Sequence, residues 1–169
     1  RRFRLCRRIS TRNRGVWGSV TSTRTEFLLS LSTRNKGLFV VPTRNGGVNE
    51  IIHARGHENV TAQHASTLEL TSDDFLTPAG DCILGIEADR VPAGFDESFV
   101  AACQSADTTI VVRLQAGGYT DSVRGRGHPE LTFASERSLV CRTSEYVDDR
   151  TVAVGMDAAA GNIDRSLVD

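Results

Sequence analysis

The chain has 169 residues and a net charge of −1, but this near-neutral total hides two segments of opposite charge. Residues 1–47 carry eleven basic side chains and one acid, whereas residues 48–169 carry nine arginines, no lysine and twenty acids. The acidic segment has the length of one ordinary domain, and its charge excludes it from the default class of nucleic-acid binders, which need clustered Lys and Arg. No apolar run approaches the roughly 20 residues of a membrane span.

The basic arm, residues 1–47, admits three interpretations. Its composition suits a transit peptide, and its charge suits a nucleic-acid-binding arm. The third interpretation, which we favour, is that residues 1–47 are a translation of the nucleotide sequence upstream of the gene and that the natural protein starts near Val48. The arm is then disordered or not part of the natural protein. Its apolar runs, Phe27–Leu31 and Leu38–Val41, are long enough for short strands.

The first half of the acidic segment begins with a predicted strand, Glu50–Ala54. A period-two pattern follows over Ala62–Thr71, which places His64 on the apolar face. Thr77–Gly80 is a predicted tight turn, and Cys82–Ile86 is a predicted strand that is buried on both faces. In the period-two segment the apolar face also carries Leu68 and Leu70, and the opposite face carries Gln63, Thr67 and Glu69.

The next elements lead into the second half. Asp96 is placed to cap a short helix with an apolar stripe of Phe99, Val100 and Cys103. The pattern over Thr109–Ala116 alternates, which predicts a strand with one apolar face. Gly117-Gly118 is a two-residue hairpin connection into a further strand, Tyr119–Arg124.

The acidic segment resembles itself, because Arg55-Gly56-His57 recurs 71 residues later as Arg126-Gly127-His128. Further matches follow in the same order at slightly smaller offsets. We therefore predict a mainly β fold with short helices, closed as an internally duplicated β-sandwich or barrel. Two similar four-strand units span about 50–116 and 120–169, with seven of the eight strands present and the last strand missing by C-terminal truncation.

Several separated motifs resemble an archaeal family catalogued as domain of unknown function 371. The motifs are Ala54–Val60, His64, Thr67-x-Glu69-x-Thr71, Leu76–Ile83 and Gly125–Pro129. The resemblance covers about residues 49–169 and not the basic arm. It implies a compact, β-rich archaeal domain and supplies no activity.

The two Arg-Gly-His turns are the first candidate sites. Arg55 with His57, and Arg126 with His128, have the chemistry to bind an anion or a metal. The alternative is turn chemistry, in which each histidine bonds a neighbouring loop. Asp81 follows a tight turn, where it either accepts backbone N–H bonds or presents a carboxylate beside a cleft.

A divalent metal is a possible cofactor, bound by His57, His64 and Asp81 with Glu69 as a further oxygen ligand. Strand geometry argues against the full set, since it places His64 and Glu69 on opposite faces. The second half has no equivalent of Asp81, which favours a site built mainly by the first half.

The sequence leaves three functions open. The leading one is a binding domain for a small anionic or polar ligand, or for a protein partner, near His57, Glu69 and Asp81. The rival is a small metal-dependent hydrolase using the same residues with His64. Nucleic-acid binding depends on the basic arm being native.

Two properties of the cell follow from composition. An acidic surface whose basic residues are arginines suits very high salt, which screens self-repulsion. We therefore predict a halophilic archaeal source. None of the four cysteines forms a CxxC pair, and three lie in apolar stretches of the acidic segment, which favours a reducing, cytoplasmic location.

Overall fold

A computed structural model of the chain describes residues 24–32 and 47–168. These residues are mainly β, with one short α-helix and three single turns of 3₁₀ helix. The strands are β1 (Arg24–Ser32), β2 (Asn49–Arg55), β3 (Thr67–Thr71), β4 (Ile83–Gly85), β5 (Thr109–Ala116), β6 (Tyr119–Arg126), β7 (Ser138–Arg142) and β8 (Thr151–Ala153). The helix α1 is Glu97–Cys103, and the 3₁₀ turns are Pro92–Gly94, Ala160–Asn162 and Arg165–Leu167.

The strands form two four-stranded sheets. Sheet A has the order β2-β1-β5-β6, and sheet B has the order β4-β3-β7-β8. In sheet A, β1 runs parallel to both of its neighbours, and β5 pairs with β6 as an antiparallel hairpin. In sheet B, the central pair β3 and β7 is antiparallel, whereas each outer strand is parallel to its neighbour.

The two sheets do not close into a barrel, so that part of the fold prediction is wrong. Backbone pairing between the two sheets is confined, in the part of the chain that the structure describes, to short crossings with isolated bridges between Arg55 and Ile86 and between Arg126 and Val154. At each of these corners the chain beyond an outer strand of sheet B crosses to an edge of sheet A, too briefly to add a strand. These crossings pair part of each outer edge of sheet A, where unpaired N–H and C=O groups would otherwise invite aggregation.

One apolar core draws side chains from both sheets. On β5, the predicted face is confirmed, since Ile110, Val112 and Leu114 are fully buried. Leu68 and Leu70 on β3 are also fully buried. Each such side chain contributes roughly 1.5–3 kcal/mol through removal from water.

The predicted helix is present, and its apolar stripe is only partly as expected. Phe99 and Cys103 are buried, whereas Val100 is half-buried. Asp96 occupies the N-cap position but its side chain makes no capping bond. Its backbone N–H instead donates to the buried carboxylate of Glu50, at 2.5 Å.

The strand predicted over Ala62–Thr71 is shorter, because β3 begins only at Thr67. Ala62 has a φ of 47°, in the left-handed region, which breaks an extended chain. His64 therefore lies in the preceding loop, and its predicted place on the apolar face of the strand is wrong. Its Nδ1 accepts the Thr67 N–H at 3.1 Å, so the ring fixes the entry into β3.

Part of the basic arm contributes to the fold. Residues 24–32, which include the first predicted apolar run, form β1 in the middle of sheet A. The second predicted run, Leu38–Val41, lies outside the described residues.

Candidate functional site

The first Arg-Gly-His turn follows β2. The Arg55 guanidinium makes two hydrogen bonds to Glu87, at 2.8 and 2.9 Å, and these bonds lower the pKa of the Glu87 carboxyl. His57 Nδ1 accepts the Asn59 N–H at 3.0 Å, and the His57 carbonyl accepts the Val60 N–H. The charge of Arg55 is therefore neutralised by Glu87, and Nδ1 of the His57 ring is occupied by a hydrogen bond within its own turn.

The second turn follows β6 and has the same local pattern. Arg126 pairs with Glu145, and His128 Nδ1 accepts the Glu130 N–H at 3.2 Å. The His128 N–H also donates to the Cys103 carbonyl at 3.0 Å, which ties this turn to the end of α1. Turn chemistry thus accounts for the Nδ1 atom of both histidines.

The two turns lie at diagonally opposite corners of sheet A. The register places Arg55 beside Ser32 of β1, whereas Arg126 lies level with Arg24 through Thr109. Eight residues of extended strand separate those levels by roughly 25 Å. Arg55 and Arg126 therefore do not converge on one anion.

Glu69 lies in sheet B, at the middle of the β3–β7 ladder opposite Val140. Its side chain is 12% exposed, accepts a hydrogen bond from the Cys82 thiol at 3.4 Å, and lies 3.8 Å from Arg150. Burial, followed by the nearby Glu69 charge, raises the pKa of Cys82 to about 11. That thiol stays protonated at neutral pH and is a poor nucleophile.

Asp81 acts through its backbone. Its carbonyl accepts the N–H groups of Gln63 and His64, at 3.0 and 3.2 Å, and so holds the loop before β3. The predicted role of accepting turn N–H bonds falls to this carbonyl rather than to the carboxylate.

The predicted metal ligands do not assemble into a site. Among the side chains that the structure describes, within residues 47–168, no three His, Cys, Asp or Glu form a group suited to a metal ion. The proposed set of His57, His64 and Asp81 is therefore not brought together. Nδ1 of each histidine already accepts backbone N–H groups of its own turn.

A largely buried ion pair at the end of β7 was not predicted from the sequence. Arg142, at the end of β7, has a side chain that is 11% exposed and donates to Asp148 at 2.7 Å and to Thr151 at 2.9 Å. Its guanidinium also lies 5.0 Å from the ring centre of Tyr146, within cation–π range. The sequence feature that could have indicated this pair is the Asp148-Asp149-Arg150 run, but such a run of charged residues is also typical of a solvated loop.

Asp148 and Asp73 are among the carboxyl groups that make the stability of the domain sensitive to acid. Burial opposes ionisation of Asp148, but hydrogen bonds from Thr151 and Arg142 outweigh it and lower its pKa. Hydrogen bonds from Arg137 lower the pKa of Asp73. A lowered pKa adds stability above the unfolded-state value and loses it as pH falls through the folded value.

We expect the free energy of unfolding to fall as pH drops below about 4, measured by urea denaturation at each pH. Asp148→Asn should flatten this dependence. Asp74→Asn, at an exposed position next to Asp73, is the matched control for the removal of one carboxylate. An equal slope in the wild type and in Asp148→Asn would contradict the assignment.

Residues 52–169 match the model of a family described as "Domain of unknown function (DUF371)". The chain belongs to this family. It is also 39% identical, over 118 residues, to Uncharacterized protein MJ0206 of Methanocaldococcus jannaschii, a match that covers 70% of this chain and 87% of the relative. The predicted family and its archaeal character are thereby confirmed, and neither name assigns an activity.

The matched residues start inside β2, so they contain β5 and most of β2 but not β1. Among the described residues, no helix is both long enough and apolar enough to cross a bilayer.

Proposed function

We propose that this family member is a binding domain for a protein partner, and that sheet A receives an extended segment of polypeptide. The observation that carries the proposal is the place between β2 and β5. In this chain it is filled by β1, which comes from outside the family-matched residues.

The neighbouring strands make this place a strand-binding gap. The edge of β2 that faces away from β5 is paired with residues 86–89, which follow β4. Arg55 bridges Ile86, and the Asp89 N–H donates to the His53 carbonyl at 2.9 Å. On its far side β5 is paired with β6. The remaining edges of β2 and β5 face each other across one strand width, so a vacant gap would leave two rows of N–H and C=O groups unpaired.

An exchange experiment on the full chain tests the proposal. A specific protease site inserted between Ser32 and Asn49 lets the chain fold first and then frees β1 from β2. We expect a labelled peptide of residues 24–32 to bind the cut chain, measured by fluorescence anisotropy, and to be excluded from the uncut chain. A Leu29→Pro peptide is the control, because proline cannot donate within a central strand.

Failure of the 24–32 peptide to enter the cut chain would overturn the proposal. The proposal would also be overturned if the β1 fragment dissociated from the cut chain with no change in melting temperature, because the unfilled gap would then not destabilise the domain.

We also propose that the acidic segment is a duplication of one unit. The bond from the Asn59 N–H to His57 recurs 71 residues later, between Glu130 and His128. Beyond β4 the offset becomes 68, because Ile86 bridges Arg55 as Val154 bridges Arg126. The left-handed residues match in the same way: Ala62 with Phe133 at offset 71, and Glu87 with Gly155 at offset 68. These matches support the proposal.

The rival hydrolase, with His57, His64, Glu69 and Asp81, gains no support from the geometry above.

The salt-adapted source and the cytoplasmic location stay proposals. Free thiols at Cys82, Cys103 and Cys141 support a reducing compartment. For salt adaptation, we expect the melting temperature to rise between low and molar KCl, and an unchanged melting temperature would contradict it.

A further inference from the structure

We infer that the outer face of sheet B carries a binding site for a neutral polyhydroxylated ligand, a sugar or a cyclitol. The residues of this site are Glu69, Arg142, Tyr146 and Arg150. The site lies on the other sheet from the strand-binding gap, so the inference goes beyond the proposed function and stands independently of it.

The charged residues of this site lie on the face of sheet B that points away from the core. Leu68 on β3 and Cys141 on β7 pack in the core. Alternation along each strand therefore directs Glu69 and Arg142 to the outer face. Arg150, in the loop before β8, reaches the same face, because its Nη1 lies 3.8 Å from Glu69 Oε1. The four charged and aromatic groups thus belong to one surface.

Glu69 and Arg150 leave part of their hydrogen-bonding capacity unused. The Glu69 side chain is 12% exposed, and among the described residues its carboxylate accepts one hydrogen bond, from the Cys82 thiol at 3.4 Å. The separation of 3.8 Å between Glu69 and Arg150 is beyond hydrogen-bond distance. Arg150 donates instead through Nη2 to Asp148, at 3.4 Å. Largely buried carboxylates normally accept stronger hydrogen bonds, so Glu69 is able to accept a further donor from a ligand.

A hydroxyl group has the chemistry to bind between these two charges. It donates to a carboxylate and accepts from a guanidinium at the same time, and it brings no net charge. Net charge matters because Arg142 and Arg150 are already balanced by Asp148 and Glu69. A phosphate or carboxylate ligand would add negative charge to a balanced cluster within a segment of nine arginines and twenty acids, which Coulomb repulsion disfavours.

Tyr146 supplies an apolar wall beside these charges. Its ring is 62% exposed, and the Arg142 guanidinium lies over it at 5.0 Å from the ring centre. Arg142 is 11% exposed and is held by hydrogen bonds to Thr151 and Asp148, so it gives the ring a fixed support. An aromatic ring has a large apolar surface, which can cover the C–H groups of a sugar while the sugar hydroxyls bind the charged side chains.

The counterparts of the site residues in the other unit are uncharged. Rotation about the Glu69–Val140 pair exchanges residues that are 71 positions apart, and beyond β4 the offset is 68. The counterparts of Glu69, Arg142, Tyr146 and Arg150 are, in that order, Val140, Thr71, Phe75 and Cys82. Neutral side chains are therefore sufficient on this face, and partly buried ion pairs are weak evidence for a gain in stability. This asymmetry favours a role of the charged residues in binding.

Saturation-transfer NMR on the full chain tests the site. The neutral probes are D-glucose, D-mannose and myo-inositol, and the charged probes are D-glucuronate and glucose 6-phosphate. The variants are Arg150→Met, which removes the guanidinium, and Tyr146→Ala. Phe75→Ala is the matched control, because Phe75 is 58% exposed at the equivalent position of the other unit. The melting temperature of each variant verifies that it is folded.

We expect at least one neutral probe to bind with millimolar affinity. Arg150→Met and Tyr146→Ala should each weaken this binding by about fivefold or more, whereas Phe75→Ala should change it by less than about twofold. The inference would be overturned by binding of the charged probes alone, by binding that the Arg150→Met and Tyr146→Ala variants retain, or by binding of no probe. The peptide experiment on the strand-binding gap is decided separately, since it does not involve these residues.

Discussion

Gly127→Ala should lower the free energy of unfolding by about 3 kcal/mol or more, the largest effect that we expect from the addition of a single methyl group in this domain. A Cβ at this position would lie 2.1 Å from the Cys103 carbonyl oxygen and 2.4 Å from that of Ser105. Both are backbone atoms, and the Cys103 carbonyl is held by the His128 N–H. Equilibrium urea denaturation measures the loss.

Gly56→Ala is the matched control, because Gly56 occupies the corresponding position of the first Arg-Gly-His turn. A Cβ there would meet no atom within 4 Å. We expect a change within about 0.5 kcal/mol, or a slight gain from reduced freedom of the unfolded chain. Equal losses for the two variants would contradict the structure of the second turn.

Phe99→Ala should cost about 3–5 kcal/mol, through lost transfer free energy and the cavity left behind. Phe99 is fully buried, and its ring contacts Phe95 and Phe133 at centroid distances of 5.8 and 6.3 Å in edge-to-face geometry. Edge-to-face pairs add to the value of burial alone. Thermal or urea unfolding measures the effect.

Phe75→Ala removes the same side chain where it is 58% exposed, and it should change the free energy of unfolding by less than about 0.5 kcal/mol. A small loss at Phe99, comparable with that at Phe75, would show that the aromatic cluster does not stabilise the core as described.

Local pattern was sufficient for several elements. The alternation over Thr109–Ala116 predicted β5 with its buried face, and Gly117-Gly118 marked the hairpin, where both glycines have positive φ. The stripe that begins at Phe99 predicted α1. In each case the information is contained in neighbouring residues, because period and turn chemistry are short-range properties.

The candidate site was harder to predict, because its charges are neutralised by distant residues. Arg55 resembles a free anion-binding group in the sequence, yet its partner Glu87 is 32 residues away. Glu50 begins the predicted strand Glu50–Ala54, and the sequence does not reveal that its side chain is 3% exposed and lies 2.9 Å from Arg90. The prediction that His64 lies on the apolar face of a strand was wrong, because the chain turns at Ala62 and β3 begins only at Thr67.

By itself, the sequence determined the two-part charge distribution, the period-two faces, the tight turns and the membership of a family, since all of these are read from residue type and spacing. The tertiary structure alone decided that the two sheets stay open, that Arg55 and Arg126 lie at opposite corners, and that residues 24–32 fill a parallel place between β2 and β5. Strand order and direction depend on backbone pairing between residues far apart in the chain, and side-chain patterns are the same for either direction.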